Sequence, residues 1–224
     1  MNEIEALIEL WEIDNIIFDL DGTLVDTLNQ HIKAFQILFQ KLNLEIPYEK
    51  IAENMGRTPK DTLLSLLPDL KNDYNKLIRM ANEKETILST LLSEITIFDG
   101  AVDILTFLQN KKLPLCLASS TPEFNVVKIL KESKLMTFFQ VIVTGEDITR
   151  GKPDPEVFLV AARKAKRLPS KSLVIGDSPH DILAGKNAQM KVIAILTGKH
   201  QKKDILTCNP DRIYPSLKDL LRKM

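Results

Sequence analysis

Beyond residue 100 the chain alternates short apolar runs with amphipathic stretches, and this restricts the fold more than any other feature. The runs are PLCLA (114–118), VIVT (141–144), SLVIG (172–176) and KVIAIL (191–196). Each is short and nearly continuous in its apolar character, the pattern of a strand buried on both faces. Between them lie AVDILTFLQNKK after Gly100, a stretch opening near Thr121-Pro122, one from Pro155 to about Lys166 and one from about His180, and each predicts a helix. An earlier run, Ile16 to Phe18, joins the set, with a weaker strand at Arg212 to Tyr214 and a final helix from Pro215. The fold class expected is α/β: a Rossmann-like parallel sheet flanked by helices. Such sheets bind ligands outside the carboxyl ends of their strands, so the residues that end each strand are the ones to weigh.

One long stretch breaks the alternation. From Thr27 to about Glu94 the chain reads as helical, with Ile32, Phe35, Leu38, Phe39 and Leu42 on one face, prolines at 47, 59 and 68 punctuating it, and Tyr74, Leu77, Ile78, Ala81, Ile87, Leu91 and Leu92 marking a long helix or two shorter ones. Residues 28–96 therefore read as an inserted, all-helical cap domain, and residues 1–27 with 97–224 as a discontinuous core. Residues 3–12 are expected to form a short helix or an extra turn.

The 224 residues carry 30 Lys and Arg against 30 Asp and Glu, so the basic footprint of a nucleic-acid binder is missing. The acidic N-terminus is unlike a signal peptide and no apolar run approaches a membrane span, so the expectation is a cytoplasmic protein with no membrane partner. The two cysteines lie far apart, without metal-ligand spacing, and Cys116 within its apolar run reads as a buried thiol. Neither a monomer nor a homodimer is specified.

The strand ends are polar. Ile16-Ile17-Phe18 stops at Asp19-Leu20-Asp21-Gly22-Thr23, where two carboxylates at i and i+2 face one side and Gly22 lets the chain turn away. Two carboxylates in differing environments can divide labour as nucleophile and acid, although Asp and Gly are also ordinary turn formers. After PLCLA comes Ser119-Ser120-Thr121-Pro122, whose hydroxyls and helix-entry N–H groups suit either phosphate binding or helix capping. Lys152 stands in Gly151-Lys152-Pro153-Asp154-Pro155, and SLVIG runs into Asp177, with Asp181 four residues later. If Asp19, Asp21, Asp177 and Asp181 converge, each like-charged pair at about 4 Å costs roughly 1 kcal/mol in water and about 4 at an intermediate dielectric. Lys152 and a hard divalent cation relieve that repulsion, and oxygen-only donors suit Mg²⁺.

In its full frame, FDLDGTLVDT resembles the first motif of the haloacid dehalogenase superfamily of phosphatases and phosphomutases. Ser119, with Ser120 as a one-residue alternative, RGKPDP around Lys152, and VIGDSPHD are similar to its second, third and fourth motifs, in order, and the resemblance runs from about Asn15 to Thr197. It implies that Asp19 is a nucleophile forming an aspartyl-phosphate and that Asp21 is the acid/base. It further implies that Mg²⁺ is held by Asp19, the Asp21 backbone carbonyl and Asp177, that Ser119 and Lys152 hold the phosphoryl group, and that Gly22, Thr23, Ser120 and Asp181 support them.

The helical insertion matches the cap many members carry after the first motif, with linkers near 27–29 and 95–100 as hinges. His31, ten residues after Asp21, and Gly56, Arg57, Thr58 and Lys60 are the candidate substrate contacts from the cap. Asp21 argues against the dehalogenase branch, which lacks that carboxylate. The function implied is a Mg²⁺-dependent phosphatase of a small phosphorylated metabolite resembling phosphoglycolate or a sugar phosphate. A β-phosphoglucomutase-like mutase is the alternative, and a non-catalytic binding module is a third.

Overall fold

The computed structural model describes residues 1–222. In chain order the elements are α1 (Glu3–Leu10), β1 (Asn15–Phe18), β2 (Val25–Asp26), α2 (Leu28–Lys41), α3 (Tyr48–Ala52), α4 (Pro59–Leu66), α5 (Tyr74–Leu91), β3 (Thr96–Ile97), α6 (Ala101–Asn110), β4 (Leu115–Ala118), α7 (Glu123–Glu132), β5 (Val141–Val143), α8 (Glu156–Lys164), β6 (Ser172–Gly176), α9 (Pro179–Asn187), β7 (Lys191–Ile195), α10 (Lys202–Thr207) and β8 (Arg212–Tyr214).

Six strands form one parallel sheet in the order β5-β4-β1-β6-β7-β8. The chain builds outward from β1 first to one side and then to the other, so β1 sits at the switch point where such sheets open a crevice at their carboxyl ends. Each of the three central strands is buried along its whole length. Alternate side chains go to opposite faces, as the pleat requires. Ile16, Phe18, Leu115, Leu117, Leu173 and Ile175 pack on the layer that includes α1, α6 and α7, whereas Ile17, Cys116, Ala118 and Val174 pack against α8 and α9. Burying each large aliphatic side chain is worth about 1.5–3 kcal/mol, which fixes the register because a slip of one residue would reverse both faces.

Helices α2 to α5 pack mainly on one another and lie over the carboxyl ends of β1 and β4, with α5 also touching α7. Local chemistry starts them: Thr58 accepts from the Asp61 N–H with Pro59 in the first turn of α4, and Asp73 accepts from Lys76 N–H at the head of α5. Tyr74, expected on the apolar face of α5, is instead 66% exposed.

Three expectations need correction. The linker expected at 95–100 contains a strand, β3, which pairs antiparallel with β2 just before the linker expected at 27–29, with Val25 opposite Ile97 and Asp26 opposite Thr96. The two chain passages satisfy one another's backbone groups, over a length too short to show alternation in the sequence. The final helix expected from Pro215 is a single 3₁₀ segment, Leu217–Leu221. The short helix α10 follows β7 where no helix was expected. Cys116 is fully buried, as its apolar run implies. Among the described residues no helix is long and apolar enough to cross a membrane.

Candidate active site

Asp19 leaves the end of β1 with its N–H donated to the Ile175 carbonyl at 2.9 Å, so the carboxylate is held against the end of β6. Two residues on, Gly22 has φ +94°, a conformation that L side chains resist, and a Cβ there would meet the Asp177 carboxylate and Leu28. Gly198, in the loop after β7, approaches from the other side, and its Cβ would overlap Asp177 Oδ2. Both positions leave room for a carboxylate and nothing larger.

Lys152 ties this end of the site together. Its Nζ donates to Asp19 Oδ1 at 2.6 Å, Asp181 Oδ1 at 2.7 Å and the Ala118 carbonyl at 3.1 Å, so all three donors of a fully buried ammonium are used. Thr23 donates to Asp177 Oδ1 at 2.8 Å. Asp181 sits in the first turn of α9 in a capping box: Ser178 Oγ and N–H both donate to its Oδ2. Both Asp181 oxygens are thus engaged. Burial, and then the charge of Asp181, push the Asp19 carboxyl up to about 7 against the pull of Lys152. Burial, Asp181 and Asp19 likewise hold Asp177 well above the usual carboxylate range, while Lys152 and Ser178 outweigh burial and hold Asp181 below it.

Oxygens of Asp19, Asp177 and Asp181 lie within 4.8 Å of one another. Three carboxylates against one ammonium leave an excess of negative charge, and the oxygen-only donors fit a hard divalent cation. Asp19 and Asp177 have the freer oxygens to hold it.

Asp21 faces elsewhere. Its Oδ1 accepts from Thr27 Oγ1 and lies 3.2 Å from His31 Nε2, and its Oδ2 accepts from Thr121 Oγ1 at 2.9 Å and Ser119 Oγ at 3.3 Å. Burial raises its carboxyl, but His31 and the Thr27 and Thr121 hydroxyls outweigh it and hold it below the usual range. His31 Nδ1 meets Lys84 Nζ at 3.0 Å. An ammonium only donates, so Nδ1 accepts and the ring proton lies on Nε2, toward Asp21, as a charge contact short of an aligned hydrogen bond. The two carboxylates of the Asp-x-Asp pair therefore see different worlds: one lies against a buried lysine and an acidic cluster, the other among hydroxyls and an imidazole.

A small, partly open cavity of about 20 Å³ lies between these strand ends and the helices above. Residues 16–195 match the sequence pattern of a family described as haloacid dehalogenase-like hydrolase. The chain belongs to the haloacid dehalogenase-like hydrolases. It is 32% identical to the pyrophosphatase PpaX of Oceanobacillus iheyensis over 93% of its own length and 95% of that protein's, and 27% identical to a phosphorylated carbohydrates phosphatase of Thermotoga maritima over 93% and 100%. The structure of a hydrolase from Pseudomonas syringae superposes with a TM-score of 0.87 at 30% identity, covering 93% of this chain and 96% of that one.

Within this haloacid dehalogenase-like framework the residues singled out in the four motifs come together, with one difference of grouping: the acidic side-chain cluster is Asp19, Asp177 and Asp181, and the Asp21 carboxylate points away from it. Of the cap candidates, His31, Gly56 and Arg57 line this cavity. Thr58 caps α4 and, with Lys60, lines an adjoining cleft of about 260 Å³ instead. Ser120 Oγ donates across to the Gly56 carbonyl at 2.9 Å. Arg57 Nε donates to His180 Nε2 at 3.3 Å, and burial and the Arg57 charge push the His180 imidazole down to about 4.

Lys84 and Glu85 were not singled out in the sequence. Both are buried in α5 and line the cavity. The signal was Lys84 itself, standing at helical spacing among Leu77, Ala81 and Leu88 on a buried face where a charge has no place without a partner. Thr121 stood between phosphate binding and helix capping, and Gly198 was not singled out.

Proposed function

We propose that this enzyme is a Mg²⁺-dependent phosphatase that hydrolyses small phosphorylated metabolites through an aspartyl-phosphate on Asp19. The observation that carries the reading is the division of the Asp19/Asp21 pair between two environments at the wall of one cavity. Lys152 points one Asp19 oxygen, Oδ1, away from the chamber, leaving the other to attack phosphorus; the bond to the leaving oxygen breaks, and that oxygen takes a proton from Asp21. Water then attacks the phosphorus, gives its proton to Asp21, and releases phosphate with Asp19 restored. The Asp21 carboxyl is held below the usual range, as the second step requires, and the proton it takes from water there is the one the next leaving oxygen receives. Ser119 would hold a transferring oxygen, and the Lys152 ammonium, whose donors go to Asp19, Asp181 and the Ala118 carbonyl, would balance the charge on Asp19. Mg²⁺ would be held by Asp19 and Asp177 and would supply charge neutralisation for the phosphoryl group.

Residues 28–96 act as a cap over a core of 1–27 and 97–224. A cavity of about 20 Å³ holds little more than one water, so admission of a phosphate ester requires the cap to swing away, and its return excludes water. The names of the relatives support small substrates: pyrophosphate, phosphorylated carbohydrates and, for a further relative from Arabidopsis thaliana, glycerol 3-phosphate. Phosphate release from pyrophosphate, glycerol 3-phosphate, phosphoglycolate and hexose phosphates, with Mg²⁺ or with chelator, tests this directly. Release that needs Mg²⁺ supports the phosphatase; isomerisation of a hexose 1-phosphate without net phosphate release overturns it in favour of a mutase.

The electrostatics give a second expectation. With Asp19 up at about 7 against an ordinary 3.8, and Asp177 raised too, the folded chain keeps protons that the unfolded chain releases. Stability contributed by these groups is therefore greatest below about 4 and is lost as pH rises through about 7. His180, held at about 4 against 6.5, opposes this by adding stability as pH rises through that window. Comparing melts with Mg²⁺ and with chelator cancels His180 and isolates the carboxylates. Mg²⁺ at one fixed concentration, about a hundredfold above its Kd at pH 8, is expected to raise Tm by roughly 5–10 °C at pH 8 and by far less at pH 5. Equal shifts at both pH values would sink the assignment of the site.

A further inference from the structure

Glu85 is buried on α5 and belongs to no step of the proposed chemistry. One carboxylate oxygen, Oε1, lies 2.6 Å from Lys84 Nζ, and the other, Oε2, accepts from Asn125 Nδ2 at 2.7 Å. Asn125 is fully buried on α7, and the same amide also donates to the Glu85 carbonyl at 3.1 Å. These two bonds cross from the helical insertion to the helix that follows β4, and Lys128 Nζ repeats the crossing three residues on, donating to the Ser89 carbonyl at 2.6 Å. The contacts run on without a gap: Asn125 to Glu85, Glu85 to Lys84, Lys84 to His31, and His31 to Asp21.

Lys84 has little freedom of its own. Its Nζ is held by Glu85 on one side and His31 on the other, 4.8 Å from the Phe35 ring centroid. Without Glu85 the ammonium would be a buried charge with no counter-ion next to a histidine. Without Asn125 the Glu85 carboxylate would lose the donor that fixes its orientation.

We propose that Glu85 and Asn125 are positioning residues that make the alignment of Asp21 conditional on docking of α5 against α7. The inference rests on the phosphatase reading above, with Asp21 as the acid. Docking completes the Asn125–Glu85 contact; Glu85 then fixes Lys84, Lys84 fixes the tautomer and orientation of His31, and His31 faces its proton to Asp21. An undocked cap leaves Asp21 without this orientation, so proton delivery to the leaving group is withheld until the chamber is closed.

The test uses two esters that differ in their need for an acid. An aryl phosphate such as p-nitrophenyl phosphate leaves without protonation; an alkyl phosphate such as glycerol 3-phosphate does not. kcat/KM covers the steps up to leaving-group departure, so it excludes the later hydrolysis of the intermediate. Asn125→Ala and Glu85→Ala are expected to lower kcat/KM on the alkyl ester about 100-fold and on the aryl ester less than about 5-fold, the lower end of what general acid catalysis contributes.

Glu85→Gln, which keeps an oxygen for Lys84 but removes its counter-ion, should fall between the parent and Glu85→Ala on the alkyl ester. Should an alanine variant prove unfolded by circular dichroism, Asn125→Ser carries the same comparison. Equal losses on both esters, or no loss on either, overturn the positioning role while leaving the phosphatase reading intact. A parent enzyme that cleaves neither ester overturns that reading and this inference with it.

Discussion

Asp19→Asn is expected to reduce Mg²⁺-dependent phosphate release by about 10⁴-fold or more, the scale of loss when a covalent nucleophile is removed. The amide is nearly isosteric and its oxygen can keep the Lys152 bond, so the fold has no reason to fail. Stability should in fact move the other way. The Asp19 carboxyl is pushed up by burial and by Asp181, so its ionised form opposes folding at neutral pH in the absence of a cation. The variant is therefore expected to melt above the parent in chelator at pH 8 while being inert. Phosphate release and a melting curve on the same preparation check both halves, and residual turnover within tenfold of the parent would reject Asp19 as the attacking group.

Lys152→Met should lose both activity and stability. Methionine fills much of the lysine volume beside Phe158 but leaves the Asp19 and Asp181 carboxylates without their shared ammonium. Breaking a buried ion pair from one side costs about 3–5 kcal/mol. The pH dependence has a definite sign: with the counter-charge gone the remaining carboxyls titrate higher in the folded state, so the destabilisation grows as pH rises above about 4, the range where the unfolded carboxyls ionise. Losing the positive charge beside the nucleophile during phosphoryl transfer adds about a 10²–10³-fold fall in kcat. Melts at pH 5 and pH 8 decide the matter, because a penalty that did not depend on pH would mean that Lys152 serves only as packing.

The sheet and the motif residues were legible because their signals are local. A parallel strand buried on both faces is a continuous apolar run, and the residues of the site stand within a few positions of where such runs stop: Asp19 after Phe18, Ser119 after Ala118, Asp177 after Gly176. Lys84, Glu85 and Asn125 had no such marker. Lys84 gains its meaning from His31, 53 positions away, and Glu85 from Asn125, 40 positions away. Each is a single polar residue on an otherwise apolar helix face, and a sequence does not say which two faces will meet. The β2–β3 ribbon and the 3₁₀ segment at Leu217–Leu221 were missed for a different reason: two to five residues are too few to show a period.

That ribbon bears on how the chain tolerates change. Because Val25 and Ile97 are direct neighbours, everything between them is closed off at its base like a loop at the end of a hairpin. The sheet beneath meets only two adjacent strand ends, whatever the length of chain suspended from them. A different set of helices, or a plain turn, could hang from the same two strands without altering the order or register below. The helical insertion is in this sense modular, and can diversify while the sheet beneath it stays fixed.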